Sequence, residues 1–315
     1  MASAVLIGSI LILGSGPFAW AATPGAPQSP VSTGTAGPGP ARTTGPDVRS
    51  NIALVIDTAQ GRTLYAKHPE KVAPIASITK LMTAMVVLDA HSPLDEAIQI
   101  KRADVSTLKH SPSRLPVGAR LKRMDLLRLA LMSSDNRAAA ALARNYPGGT
   151  PACLQAMNRK ARQIGMLATR FNDPTGLSSG NVSSAADLSK LVLTASEYPL
   201  IREASTSASH VVRLPGGRVL EFHNSNRLVS NKTWEIELSK TGYIEEAGRC
   251  LVMKSKIAAR QVVIVLLDSW GKYTRLGDAS RIRKWMEETL RSPAPAGEAL
   301  PRTEPVRTGG VRPGR

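Results

Sequence analysis

Cysteine and aromatic residues are both scarce in this sequence. Two of the 315 residues are cysteine, Cys153 and Cys250, which is too few for a disulfide scaffold. Nothing in the sequence places them together, so we expect two unpaired, partly buried thiols. Aromatic residues make up only 4% of the chain, which leaves few rings for stacking on nucleic-acid bases. A small disulfide-stapled fold is therefore excluded, and nucleic acid is not the expected partner.

Histidine and acidic residues are also few. The five histidines, His68, His91, His110, His210 and His223, show no spacing typical of a metal site, so nothing supports a zinc enzyme. Aspartate and glutamate number 24 against 41 lysines and arginines, a formal charge of +17. Such a basic chain is compatible with peripheral contact to an anionic membrane or an acidic polymer.

Three terminal segments lack the pattern of a folded core. Residues 1–21 carry a short apolar run that ends in Ala19-Trp20-Ala21, which is typical of a secretory signal peptide, although no lysine or arginine precedes the run. Residues 22–47 are rich in Pro, Gly, Thr and Ser and are expected to form a disordered linker, and residues 292–315 a disordered Pro/Arg-rich tail. The sequence thus predicts a single exported, periplasmic domain over residues 48–291.

Strand and helix patterns follow one another in blocks within this domain. The predicted strands are 51–57, 61–68, 210–214, 218–222, 235–240, 249–255 and 261–268. The predicted helices are one that begins at residue 77, then 124–132, 137–144, 152–164, 185–195 and 275–290. Short links among the late strands favour an antiparallel sheet, and the clustered middle helices favour a separate layer. The sequence therefore predicts an α+β fold.

One lysine is out of place in the stretch "PIASITKLMTAM", residues 74–85. Lys80 is the only charged residue from Ser77 to Leu88, and a helix that is apolar on all faces is a buried helix. Ser77 and Lys80 are three residues apart and share a helix face. Burial and the positive helix end both lower the pKa of the lysine. The pattern predicts a neutral amine beside a hydroxyl, which is a general base beside a nucleophile.

The Ser-x-x-Lys pattern occurs three times, and its context separates the matches. Ser106 and Lys109 lie in a highly charged stretch that reads as a solvated loop. Ser269 ends a predicted strand, and a glycine before Lys272 interrupts any helix there. Only Ser77 opens a buried helix, so it is the candidate nucleophile.

Two further short motifs follow in order along the chain. Ser134-Asp135-Asn136 lies between two predicted helices, and Lys240-Thr241-Gly242 follows a strand-like run. Taken alone, the first could be a helix cap and the second a turn at a strand end, and a second Ser-x-Asn occurs at 179–181. Together with Ser77 and Lys80, the three form the signature of penicillin-binding proteins and class A β-lactamases.

Longer stretches strengthen this resemblance. Residues 132–149, 171–192, 238–253 and 267–287 resemble the low-molecular-mass serine penicillin-binding proteins, in particular their D-alanyl-D-alanine endopeptidase branch. The resemblance covers nearly the whole domain. It implies a β-lactamase/transpeptidase-like fold, in which an antiparallel sheet flanked by helices and a helical subdomain enclose the active-site cleft. It also implies that no metal or organic cofactor is needed.

The resemblance assigns catalytic roles by motif. Ser77 would attack the carbonyl of a D-alanyl peptide bond and form an acyl-enzyme, while Lys80 accepts its proton. Ser134 and Lys240 would relay a proton to the leaving amine. Peptidoglycan stem peptides would be the substrate, and β-lactams would act as covalent inhibitors.

The same resemblance assigns substrate-binding roles. Asn136 would hold the substrate's amide, and Thr241 would bind its carboxylate end within a binding motif that includes Gly242. The backbone N–H groups of Ser77 and Tyr243 would form the oxyanion hole, where fixed donors meet the developing negative charge.

Three alternatives remain open from the sequence. A D-Ala-D-Ala carboxypeptidase would use the same residues, but the tail shows no apolar anchoring face, which favours the endopeptidase. A β-lactamase would need a Glu-x-x-Leu-Asn element between the second and third motifs, where residues 172–178 read "NDPTGLS". The third alternative is a non-catalytic wall-binding protein.

Overall fold

The computed structural model of the chain describes residues 45–107, 113–214 and 216–291. The predicted signal peptide, the predicted tail and linker residues 22–44 lie outside the described residues. The last linker residues contact the domain, because Pro46 is buried and Arg281 Nε donates to the Asp47 carbonyl oxygen at 2.7 Å. In the described part of the chain, no helix is both long and apolar enough to span a bilayer.

The described residues form short and long strands and helices in the predicted blocks. The strands are β1 Ile52–Asp57, β2 Arg62–Lys67, β3 Ala73–Pro74, β4 Ala97–Gln99, β5 Arg120–Lys122, β6 Val182–Ser183, β7 Ser209–Arg213, β8 Val219–His223, β9 Glu235–Ile244, β10 Gly248–Ile257 and β11 Arg260–Ser269. The helices are α1 Thr79–Asp89, α2 Arg123–Met132, α3 Asn136–Arg144, α4 Gly149–Gln163, α5 Ala185–Ala195, α6 Pro199–Thr206 and α7 Thr274–Arg291.

The main sheet is antiparallel and has the strand order β2-β1-β11-β10-β9. The middle of its central strand β11, residues 262–267, is wholly apolar because both faces of the sheet are covered there. Val263 and Val265 pack into a large core on one face, and Ile264 and Leu266 pack into a second core on the other. The period-2 alternation of side chains thus serves two cores at once. Strand β9 is left at the edge of the sheet, beside the helices that carry the other motifs.

The helices form layers on the two faces of the sheet. Helix α7 places Ala279, Ile282 and Met286 on the second core. Helix α5 packs on β1 and β11 from the opposite side, and α1 packs between α5 and the α2–α4 group. Every residue of α1 from Thr79 to Val87 is buried, as its uniformly apolar sequence predicts.

Four details differ from the sequence predictions. The strands β3, β4, β5 and β6 were not predicted, because two or three residues are too few to show a period of two. Strand β9 continues to Ile244, so the Lys240-Thr241-Gly242 motif lies inside a strand and is not a turn at its end. Helix α6 was not predicted, because its eight residues are too few to show a helical period. Cys153 and Cys250 are unpaired as expected, but they are fully buried, and burial raises the pKa of both thiols to about 12.

Candidate active site

The candidate nucleophile lies in a tight turn, two residues before the α-helix begins. Ser77 is the middle residue of a 3₁₀ turn, Ala76–Ile78, and α1 starts at Thr79. Ala76 adopts a left-handed backbone angle, φ 46°, which is costly for a residue with a side chain. The turn leaves the Ser77 side chain almost buried, at 8% exposed.

Lys80 lies within reach of that hydroxyl, and it forms no ion pair with any acid in the described part of the chain. Its Nζ donates to Ser77 Oγ at 2.8 Å, to Asn136 Oδ1 at 2.6 Å and to the Thr175 carbonyl oxygen at 2.6 Å. All three partners are neutral oxygens, and the side chain is fully buried. Burial therefore lowers the pKa of Lys80 to about 7, against the opposing charges of Asp173 and Asp135. Near neutral pH a large fraction of this amine is unprotonated.

The second motif occupies the link between α2 and α3. Asp135 caps α3, since its carboxylate accepts from the Ala138 N–H at 2.9 Å, and it also accepts from Ser113 Oγ. Ser134 has a left-handed backbone angle, φ 62°, and its hydroxyl is directed to the third motif. The cap of this helix is therefore Asp135, and neither Ser134 nor Asn136 plays that part.

The third motif supplies a second buried lysine. Lys240 Nζ donates to Ser134 Oγ at 2.8 Å and to the Thr241 carbonyl oxygen at 2.8 Å. Burial lowers the pKa of Lys240 well below its ordinary value, and the charges of Lys80 and Arg275 lower it further. Arg275, at the start of α7, is itself buried.

A close approach between β9 and the nucleophile turn depends on Gly242. A Cβ atom at this position would lie 3.0 Å from the Ile75 carbonyl oxygen and 3.1 Å from the Ser77 nitrogen. On either side, Thr241 Oγ1 donates to Ser225 Oγ at 2.7 Å, and the exposed Tyr243 ring stacks against Arg249. Any larger residue here would push the strand and the nucleophile turn apart by a few tenths of an ångström, so glycine suits this close approach to Ser77.

The loop of residues 172–178 packs against the nucleophile turn. The Asp173 carboxylate accepts from the backbone N–H groups of residues 175, 176, 177 and 178, at 2.6 to 3.2 Å. The loop thereby presents the Thr175 carbonyl oxygen to Lys80. At Gly176, φ is 83° and a Cβ would lie 2.0 Å from the Ala76 carbonyl oxygen.

The structure brings the predicted site residues to one place. Three lysine hydrogen bonds join Ser77, Lys80 and Asn136 on one side and Ser134 and Lys240 on the other. Thr241, Gly242 and Tyr243 continue along the adjoining strand. A serine hydroxyl beside an amine with a pKa near 7 is equipped for nucleophilic attack with general-base assistance.

The other matches to these short motifs, two Ser-x-x-Lys and one Ser-x-Asn, have surroundings that differ from those of Ser77 and Ser134. Ser269 Oγ lies 2.7 Å from Ser50 Oγ, within a buried polar cluster, and Asn181 Nδ2 donates to Thr79 Oγ1. Lys109 lies outside the described residues. Ser106, however, borders a cavity of about 270 Å³ that Asn136 and Thr175 also line.

Three site residues were missed by motif reasoning. Thr175 acts through its backbone oxygen, which any residue type could supply, so only the "DPTG" turn pattern could have indicated it. Arg275 comes from a distant helix start, and no local pattern connects it to Lys240. Ser225 belongs with them, because only the fold brings it to Thr241.

Comparison with known protein families identifies the family to which a chain with this site belongs. Residues 40–271 match the model of the peptidase S11 family, described as D-alanyl-D-alanine carboxypeptidase. The chain belongs to this family. Its fold class is confirmed by the crystal structure of the Streptomyces K15 DD-transpeptidase, which is 27% identical and superposes with a TM-score of 0.72 over 77% of this chain and 98% of that one.

Two relatives are more similar in sequence. A D-alanyl-D-alanine endopeptidase of Pseudomonas aeruginosa is 48% identical over 267 residues, covering 84% of this chain and 86% of that protein. A D-alanyl-D-alanine endopeptidase of Escherichia coli is 45% identical over 276 residues, covering 87% and 88%. The resemblance to the endopeptidase branch is thus confirmed.

Proposed function

We propose that this chain is a serine D-alanyl-D-alanine endopeptidase that cleaves the peptide cross-links of peptidoglycan through an acyl-enzyme on Ser77. The observation that carries the proposal is the 2.8 Å contact between the Ser77 hydroxyl and the buried amine of Lys80. The two endopeptidase relatives span most of this chain, and they support the choice of an internal bond as the target.

Acylation uses the two lysines in turn. Ser77 Oγ attacks the carbonyl carbon of the D-alanyl bond, and its proton passes to the unprotonated amine of Lys80. The C–N bond breaks as the Ser134 hydroxyl, held by Lys240 at 2.8 Å, gives its proton to the leaving nitrogen, and the proton that Lys80 accepted replaces it on Ser134. Water then hydrolyses the ester, which restores the Ser77 hydroxyl and frees the new carboxylate.

Substrate binding follows from the charge and position of the strand β9 side of the site. Arg275 gives this end a positive charge, and the Lys240 amine and the Thr241 hydroxyl beside it offer hydrogen-bond donors. A carboxylate on the leaving side of the substrate fits these groups. Asn136 contacts Lys80, and strand β9 passes Ser77 at Gly242; the amide of the acyl part would bind between these two elements.

β-Lactams would enter as mimics of the same D-alanyl bond and acylate Ser77. The apolar segment 1–21 supports export, and we propose a periplasmic location on that basis. Contact with an anionic polymer remains a prediction from the charge of +17. Separating periplasmic from cytoplasmic protein of producing cells tests the location, and recovery of the full-length chain from the cytoplasm alone contradicts it.

The choice of bond is tested with two purified substrates in parallel. We expect wild-type protein to split cross-linked muropeptide dimers into monomers, and the Ser77→Ala variant to leave them intact. If only monomeric pentapeptides react, by losing their terminal D-Ala, the protein is a carboxypeptidase and the endopeptidase proposal is wrong.

A further inference from the structure

An exposed surface of rings and cations adjoins the active site, and its side chains have no part in the steps above, although the backbone N–H of one member, Tyr243, is assigned to the oxyanion hole. It consists of six side chains, here named the Tyr243 face: Arg227, Tyr243, Arg249, Trp270, Lys272 and Tyr273. Tyr243, Trp270 and Tyr273 are 55%, 79% and 52% exposed. They are the only aromatic residues among the exposed large apolar side chains of the described residues. Exposed rings gathered in one place indicate a binding surface.

The cations of this face are stacked on rings instead of being paired with acids. Arg249 lies 4.4 Å from the Tyr243 ring, and Tyr273 has Lys272 at 5.5 Å and Arg227 at 5.7 Å. Within the described residues, none of the three cations forms an ion pair with a carboxylate. Their charges are therefore available to a ligand that brings its own carboxylates.

A recess in the face can hold part of such a ligand. A cavity of about 340 Å³ is bordered by Tyr243, Arg249, Trp270 and Lys272. Two acids also border it, Glu245 and Asp268, and Asp268 accepts a hydrogen bond from Asn51 Nδ2 at 2.9 Å. Arg249 and Lys272 balance these two acids at the recess itself, while Arg227 beside Tyr273 and the buried Arg275 near Arg249 leave the surroundings positive. The surface therefore suits an anionic peptide.

The position of the face relates it to the leaving side of the substrate. Thr241 and Tyr243 are two residues apart on β9 and project from the same side of the strand, about 7 Å apart at 3.3 to 3.4 Å per residue. Thr241 is bonded to Ser225, and Arg227 follows Ser225 by two residues. A single leaving D-Ala whose carboxylate is bound at Thr241 ends there, because one residue spans at most about 3.6 Å. A leaving strand that continues beyond this point would reach the face.

We propose that the Tyr243 face binds the leaving peptide strand of a cross-link, with its cations on the strand's free carboxylates and its rings against the strand's backbone. This inference rests on the proposed function and deepens it. The face would favour internal bonds over terminal ones, because only a cross-linked substrate has a leaving group long enough to occupy it.

The test compares two matched double variants. Trp270→Ala/Lys272→Glu removes one exposed apolar side chain and reverses one charge on the face. Leu167→Ala/Arg162→Glu is the matched control: it also removes one exposed apolar side chain and reverses one positive charge. Both side chains are exposed near the end of α4, outside the site. Neither pair includes a residue of the catalytic network.

Three rates are measured for each protein: cleavage of a muropeptide dimer, release of D-Ala from a monomeric pentapeptide, and acylation by a fluorescent penicillin. We expect the face variant to raise KM for the dimer about tenfold, the size of a modest binding contribution. Its other two rates should stay within about twofold of wild type, and the control variant should match wild type in all three.

Each other outcome overturns the inference in a recognisable way. If dimer cleavage is unchanged, the face does not bind the leaving strand. If all three rates fall together, the face supports the fold of the site or the acyl side of the substrate. If wild-type protein releases D-Ala but does not cleave dimers, the endopeptidase proposal fails, and this inference fails with it.

Discussion

At the scale of single residues, Lys80 decides how the site works. Full burial lowers the pKa of this amine and so favours its unprotonated form, which is the form that can accept the Ser77 proton. The pairing also accounts for a cation in the first turn of an apolar helix, where helix rules alone favour an acid.

The first prediction concerns pH. Protonation removes the accepting form of Lys80, whose pKa is about 7. Acylation by penicillin should therefore fall about tenfold per unit as pH drops below that value and level off above it. Stopped-flow measurement of kcat/KM, or of the acylation rate constant, between about pH 5 and 9 checks this.

A Lys80→Arg variant provides the control for this pH profile. Its guanidinium stays protonated at every pH used, so acylation should be lost throughout the range. A wild-type profile that is flat across neutral pH, or an arginine variant that keeps the wild-type rate, would contradict the assignment of Lys80 as the base.

Residue chemistry was predictable where a short motif carries it. The sequence predicted that Ser77 and Lys80 meet, because three residues along a helix fix their distance. The Ser134–Lys240 contact needed the resemblance, since 106 residues separate the two positions. The role of the Thr175 backbone oxygen was not predictable in this way, because every residue type carries a backbone carbonyl.

At the scale of elements, two close approaches hold the nucleophile turn. Strand β9 passes on one side at Gly242, and the loop of residues 172–178 passes on the other at Gly176. The turn has a strained backbone at Ala76, and these two neighbours are the parts of the fold that keep it in that shape.

The second prediction tests this packing with matched glycines. Gly176 and Gly216 both have φ 83°, but a Cβ at Gly176 meets the Ala76 carbonyl at 2.0 Å, whereas Gly216 has open space. Gly216→Ala should lower the free energy of unfolding by about 1–2 kcal/mol through backbone strain alone. Gly176→Ala should lower it by a further 1–3 kcal/mol or so and slow penicillin acylation.

Urea unfolding and the acylation rate, measured on both variants, check this prediction. Equal losses of stability in the two variants, with acylation unchanged, would show that the loop does not support the turn.

Long elements were easier to predict than short ones. The apolar runs of β1 and β11 and the uniformly apolar α1 follow from period and composition alone. Helix α6 was not predicted, because only three of its eight residues, Ile201, Ala204 and Ser205, are buried. The end of β9 was not predicted, because the dipeptide Thr-Gly is also typical of a turn. Only the pairing of this segment with β10 shows that the strand continues.

At the scale of the whole molecule, the site can form an acyl-enzyme more readily than it can release one. The acid of the loop beneath Ser77 is Asp173, and its carboxylate is held by four backbone N–H groups. The oxygens of this carboxylate are occupied by the hydrogen bonds that shape the loop, so none of them is placed to activate water.

The third prediction follows for β-lactams. A chromogenic cephalosporin should give a burst of about one equivalent of product per enzyme, followed by slow turnover, because acylation is faster than hydrolysis. Continuous rapid turnover of many equivalents, abolished in Ser77→Ala, would instead identify a β-lactamase.

The most direct measurement is the site of penicillin attachment, determined by intact-protein mass and peptide mapping. We predict one covalent adduct per chain, on the peptide that contains Ser77, and none in the Ser77→Ala variant. Absence of an adduct on folded wild-type protein, or an adduct on a different residue, would contradict a nucleophilic Ser77 and with it the proposed reaction.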